Sequence, residues 1–207
     1  MNLGPINLET EQRKQLLALA RQSIDQGIVE MASVPMPSVN LPPPLQIARG
    51  SFVTLRIDKQ LRGCCGTLIA TRPLGEDVWR NAWASAFADP RFSPLEAEEW
   101  PDVHLHISVL SPLEPLVVES EQALLDMLRP GIDGLVLERD VARATFLPDV
   151  WEQIPEPTEF VRHLKQKAGW PANAWSPLIN VQRYTTESFE EPIKHDGDRS
   201  TDAFWRG

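Results

Sequence analysis

Apolar residues recur along the chain at two spacings. Leu16, Ala20, Ile24 and Ile28 lie four apart, which predicts an amphipathic helix over residues 9–30 with Asn7 or Thr10 as its cap. A second stripe of Val78, Ala82 and Ala86, with Trp79, Trp83 and Phe87 beside it, predicts a helix that starts near Leu74. That helix must end at Asp89-Pro90, because a residue before proline avoids the helical region. Shorter runs of apolar and β-branched residues predict strands over 50–57, 61–69, 103–110, 114–118, 135–137, 144–147 and 178–185. The first two are joined by a turn at Asp58-Lys59-Gln60, and Gly131-Ile132-Asp133-Gly134 turns into the fifth. Further helical pieces fall over 121–128, 149–153 and 158–168. Pro35, Pro37, Pro42, Pro43 and Pro44 predict an extended connector, since helix interiors exclude proline.

Strands often follow strands in this order, and no segment repeats at a fixed period. The chain therefore reads as α+β and not as a doubly wound parallel fold. With 207 residues, 42% of them hydrophobic, it can bury the core of one domain. That domain is expected over residues 1–189, followed by a polar, proline-broken tail over 190–207 that is expected to be disordered. Phe204-Trp205 in the tail reads as a frayed end ahead of a docking stub. A net charge of −9 argues against non-specific binding to nucleic acid or to an anionic membrane. No apolar run approaches the ~18 residues that span a bilayer.

Candidate chemistry concentrates in Leu61-Arg62-Gly63-Cys64-Cys65-Gly66-Thr67, which holds both cysteines of the chain. Strict alternation along a strand would put Arg62 and Cys64 on one face and Leu61, Cys65 and Ile69 on the other. Cys65 then reads as a small core residue, and Cys64 as a thiol whose thiolate the Arg62 guanidinium favours. A bulge at Gly63 or Gly66 would scramble that parity. Neighbouring Cα atoms are about 3.8 Å apart, too close for an ordinary disulfide, which wants roughly 4.4–6.8 Å. Two cysteines and a start without a leader-like apolar segment predict a reduced, cytoplasmic protein. No Walker-type loop is present, and the sequence nominates no cofactor.

The cysteine segment, Asp89-Pro90-Arg91-Phe92 and Ile107-Ser108-Val109-Leu110-Ser111-Pro112-Leu113-Glu114 together resemble the AMMECR-type family. Its bacterial and archaeal members are called AmmeMemoRadiSam system protein A. Asp133-Gly134-Leu135, Phe146-Leu147-Pro148, Lys167-Ala168-Gly169 and Trp175 follow in the expected order, and the likeness extends from Leu8 to Phe189. The resemblance implies one domain of two lobes, with a barrel-like, largely antiparallel sheet flanked by helices. Its Arg-Gly-Cys-x-Gly signature falls on Arg62, Gly63, Cys64 and Gly66, with Cys65 at the variable position that is usually aliphatic. It also implies Memo-like and radical S-adenosylmethionine proteins as partners, but no settled activity.

On this basis Cys64 is the candidate nucleophile or redox thiol. Arg62, Gly63, Gly66, Thr67, Asp89 and Arg91 are the candidate binding residues for a small anion or a nucleotide. Asp89 and Arg91 enter because they match the family segment, and bracing the helix end is an equal reading. His104 and His106 share the polar face of a strand with Ser108; that face is expected to be solvated, and no third ligand for a metal is evident. Three functions remain open: an enzyme acting through Cys64, a non-catalytic module of a modification complex, and a nucleotide- or RNA-binding domain.

Overall fold

The computed structural model describes residues 7–33 and 35–192. Residues 193–207, which include His195, Phe204 and Trp205 and most of the expected tail, lie outside the described residues. The elements run α1 (Thr10–Glu30), α2 (Pro43–Gln46), β1 (Ser51–Ile57), β2 (Gln60–Gly66), α3 (Leu74–Phe87), β3 (His104–Leu110), β4 (Glu114–Leu116), α4 (Glu121–Met127), β5 (Gly134–Arg139), β6 (Ala142–Phe146), α5 (Pro157–Lys167), β7 (Asn180–Tyr184) and β8 (Thr186–Glu190). Short 3-10 turns cover Trp100–Asp102 and Pro148–Glu152.

The α+β order stands, with every strand pair antiparallel. The strands divide into two four-stranded sheets, ordered β2-β1-β3-β8 and β4-β7-β5-β6, and no closed barrel forms among the described residues. Val53, Leu55, Leu105 and Ile107 pack beneath Leu16, Ala20 and Ile24 of α1 and Val78 and Ala82 of α3. Leu135 and Leu137 pack against Leu124 of α4 and Phe160 and Leu164 of α5, where the Phe160 ring stacks on Trp151 at 3.8 Å. Alternation sends Phe52, Leu110, Val136 and Tyr184 to the opposite faces, where they form a third cluster that joins the sheets. Each sheet thus carries helices on its outer face and meets the other sheet on its inner face.

The chain passes between the sheets at two adjacent places, from β3 to β4 and from β7 to β8. These crossings are tied together: Ser111 N–H donates to the Thr185 carbonyl, and Thr185 N–H donates to Ser111 Oγ, both at 2.9 Å. The strand expected last, over 178–185, is β7, and a further strand not expected from the sequence, β8, follows Thr185 in the other sheet. Order continues through the start of the expected tail. Glu190 ends β8, and the buried Glu191 binds Arg21 of α1 through bonds of 2.6 and 2.7 Å. The proline connector also differs from expectation, because Pro43 and Pro44 are the first two residues of the one-turn helix α2, capped by Pro42. Proline is tolerated there, where the missing N–H would have no helical partner.

α3 lies close on β2 at Gly63. A Cβ at that position would stand 2.1 Å from the Ser85 carbonyl oxygen, so only glycine lets the helix backbone come so near. Gly63→Ala is expected to cost about 3 kcal/mol, the upper range for forcing atoms into a packed site. Urea unfolding checks it: the midpoint falls with the slope unchanged, and an unmoved midpoint contradicts this packing.

Candidate functional site

β2 is an edge strand, so half of its backbone polar groups need partners outside the sheet. At Cys64 these partners come from the Asp89-Pro90-Arg91 turn that follows α3. Asp89 Oδ2 accepts the Cys64 N–H at 2.8 Å, and Arg91 Nη2 donates to the Cys64 carbonyl at 3.3 Å. Arg91 closes the ring on Asp89 itself, through Nε at 2.9 Å and Nη2 at 2.6 Å. The Asp89 side chain is only 3% exposed, whereas that of Arg91 is 54% exposed. The guanidinium holds the Asp89 carboxyl down at about 2, and the carboxylate pushes Arg91 further up. Arg91 Nη1 takes part in none of these bonds.

Register places the Cys64 side chain in a row across three strands. Cys64 is opposite Thr54, and Thr54 is opposite His106, so all three point to the inner face of the first sheet. Thr54 Oγ1 donates to Cys64 Sγ at 3.4 Å. His106 faces the other half of the protein, with Nε2 4.0 Å from Asp149 Oδ2. The expected solvated face is corrected here: the second half covers it, leaving the His106 side chain 12% exposed. Burial lowers the His106 imidazole below its ordinary value, and the facing Asp149 opposes that. Cys65 lies opposite the buried Val53, and its N–H donates to Ser85 Oγ at 2.8 Å. Burial pushes its thiol up, followed by the charge of Asp89, which disfavours a thiolate at Cys65.

Other predicted residues have different duties. The register between β1 and β2 slips between Leu55 and Arg56, so Arg62 is the extra residue of a bulge. Its guanidinium turns away from Cys64 and grips Glu99 with two bonds of 2.7 Å, and it also binds the Ser93 carbonyl. Arg62 therefore anchors the loop after the Asp-Pro-Arg turn, and the guanidinium beside Cys64 is that of Arg91. The slip leaves Leu61 exposed, and β2 ends at Gly66 before Ile69, which is also exposed. The space at Gly66 is taken by the Phe52 ring, 2.3 Å from where a Cβ would sit. Thr67 Oγ1 donates to Asn81 Oδ1, at the edge of a network in which the fully buried Asp77 accepts from Ser51, Asn81 and Arg72. Burial raises the Asp77 carboxyl.

The second half contributes a cation that sequence reading passed over. Lys167 ends α5, donates from Nζ to the Thr145 carbonyl at 3.0 Å, and lies 5.1 Å over the Phe146 ring. The protein packed around the ammonium lowers its pKa, and so does the charge of Arg91; the Cys64 thiolate acts in the opposite sense. Arg91, Lys167 and Cys64 are thus within electrostatic reach of one another. A thiol with two cations can hold a small anion beside a nucleophile. No group of three His, Cys, Asp or Glu side chains among the described residues is placed to hold a metal ion. No described helix is long and apolar enough to cross a membrane. A cavity of about 620 Å³ lies beside β8, walled by Asp149, Trp151, Glu152, Thr186, Ser188 and neighbouring prolines, and does not include Cys64.

Comparison with known proteins places this geometry in a wider set. The AMMECR1 family model matches residues 17–189. A protein of Methanothermobacter thermautotrophicus is 35% identical over 188 residues, covering 89% of this chain and 96% of that protein. One from Thermotoga maritima is 37% identical over 143 residues, covering 68% of this chain and 77% of its own length. Among solved structures, an uncharacterised protein of Pyrococcus horikoshii superimposes with a TM-score of 0.83 at 31% identity, covering 89% of this chain and 93% of its own.

The Asp89 clamp carries a pH signature. An aspartate held at about 2 in the folded chain, against an ordinary 3.8, adds stability that is complete above roughly pH 4. That stability is lost as the pH falls toward 2. Asp89→Asn is expected to cost about 2 kcal/mol at pH 7, the worth of a hydrogen bond to a charged group. Denaturant unfolding at pH 7 and pH 2.5 checks it, since the gap between wild type and variant should narrow at the lower pH. An equal gap at both contradicts the clamp.

Proposed function

The chain belongs to the AMMECR1 family, and on that premise we propose that it binds a small anionic ligand at Cys64, in a cleft between its two sheets. Arg91 and Lys167 supply the positive charge, and Cys64 is the nucleophile or redox thiol at the bound anion. The observation that carries this reading is the position of Cys64. Its backbone is gripped by Asp89 and Arg91, its sulfur receives the Thr54 hydroxyl, and Lys167 of the other half lies within electrostatic range of it.

The two sheet-bearing halves read as the family's two lobes. The anion is taken to be the substrate of a cytoplasmic modification pathway, exchanged with Memo-like and radical S-adenosylmethionine partners. Unpaired Cys64 and Cys65 agree with a reducing compartment.

Two alkylating agents of similar size test the charge at this thiol, iodoacetate and neutral iodoacetamide. Their rate ratio at Cys64, relative to that of a free thiol, is expected to favour iodoacetate about fivefold, in keeping with the attraction of cations within electrostatic range. Lys167→Gln should abolish most of that preference, whereas Arg62→Ala should leave it in place. Equal relative rates for both agents, or a Cys64 that reacts only on unfolding, would overturn the reading in favour of a non-catalytic binding module.

A further inference from the structure

β8 is the outer strand of the first sheet, and no strand among the described residues pairs with its free edge. The Thr185 carbonyl accepts from Ser111 N–H, and Glu191 N–H donates to the Leu105 carbonyl, so both residues turn their backbone toward β3. Antiparallel ladders alternate, so Glu187 and Phe189 turn the same way. Thr186, Ser188 and Glu190 therefore direct their N–H and C=O groups outward, where a further strand could meet them.

The cavity of about 620 Å³ lies along this edge, and Thr186 and Ser188 form its near wall. Ser188 is opposite Ser108, and Ser108 is opposite Phe52, which places these side chains on the inner face of the sheet. An added strand sends every second side chain to that same face, into the cavity. The remaining walls combine two chemistries. Pro130, Ile132 and Pro148 are apolar, Asp149 and Glu152 bring carboxylates, and no Lys or Arg lines the cavity. The basic group nearest Asp149 is His106, whose Nε2 at 4.0 Å is beyond hydrogen-bond distance. Long basic side chains match this combination, because the aliphatic stem packs on an apolar wall while the charged head reaches a carboxylate. An apolar strand would leave the carboxylates without partners, and an acidic one would meet like charge.

We propose that β8 is a docking edge for an extended, basic segment of a partner protein, which joins the first sheet as an antiparallel fifth strand. Arginine or lysine residues two apart in that segment lie opposite Thr186 and Ser188, with their heads at Asp149 and Glu152. Main-chain hydrogen bonds to Thr186 and Ser188 supply affinity, and the carboxylates select for the basic side chains. Cys64 does not line this cavity, so the docking edge stands or falls independently of the anion site.

A heptapeptide labelled at its N-terminus, Thr-Val-Arg-Thr-Arg-Val-Thr, tests this by fluorescence anisotropy with the full chain. Saturable binding with a Kd of roughly 10–100 µM is expected, weak because the buried area is small. Asp149→Asn combined with Glu152→Gln should weaken it about tenfold, the joint worth of two partly exposed charge pairs. Glu98→Gln, at an exposed acid outside the cavity, should leave it unchanged. N-methylation of either arginine amide should abolish binding, because those N–H groups face β8. N-methylation of the central threonine, whose N–H faces away, should leave the Kd within about twofold. Binding that ignores the carboxylates, or that both kinds of N-methylation weaken equally, would overturn the proposal. So would an absence of binding up to about 1 mM peptide, the result to be seen if residues 193–207 or a second copy of the chain cover the edge instead.

Discussion

The structure around Cys64 depends on one carboxylate. Asp89 accepts hydrogen bonds from the Cys64 N–H and from the Arg91 guanidinium at once, and Arg91 returns a bond to the Cys64 carbonyl. An edge strand would otherwise leave those two backbone groups to water or to another strand. The clamp satisfies them, fixes the residue that bears the thiol, and holds a cation beside it. Remove the carboxylate and the strand edge loses an acceptor, while the guanidinium loses the group that orients it. Asp89 is almost fully buried, which makes the interaction costly to break, and Arg91 is half exposed, which keeps part of it available.

The rest of the cysteine segment serves this arrangement by packing. Gly63 admits the α3 backbone and Gly66 admits the Phe52 ring, so each glycine makes room for the protein itself. Arg62 binds Glu99 and so ties down the loop that follows the Asp-Pro-Arg turn. Thr67 is held at the rim of the buried Asp77 network beneath the hairpin. What the segment presents toward the second half is therefore the Cys64 side chain, with Arg91 from one half and Lys167 from the other.

Much of this was legible in the sequence. Apolar spacing located the first and third helices and the hairpin, and local signals located Cys64, Asp89 and Arg91. What failed was parity. A bulge at Arg62 costs one residue of register, and nothing in Leu61-Arg62-Gly63 distinguishes a bulged strand from a regular one. The strand after Thr185 was missed because β8, Thr186–Glu190, is mostly polar and carries no alternation of apolar residues. Lys167 and Asp149 escaped because they approach the row from distant parts of the chain, although Lys167 lies in a segment that carried the family likeness. His106 looked solvated because what covers it is the second half of the fold, and a strand pattern cannot report a distant neighbour.

A crystal structure of the protein carboxymethylated at Cys64 would test the central claim most directly. The account predicts that the added carboxylate lies within hydrogen-bond distance of Lys167 Nζ or Arg91 Nη1, between the two sheets. A carboxymethyl group turned out to solvent, with both cations unmoved, would contradict it.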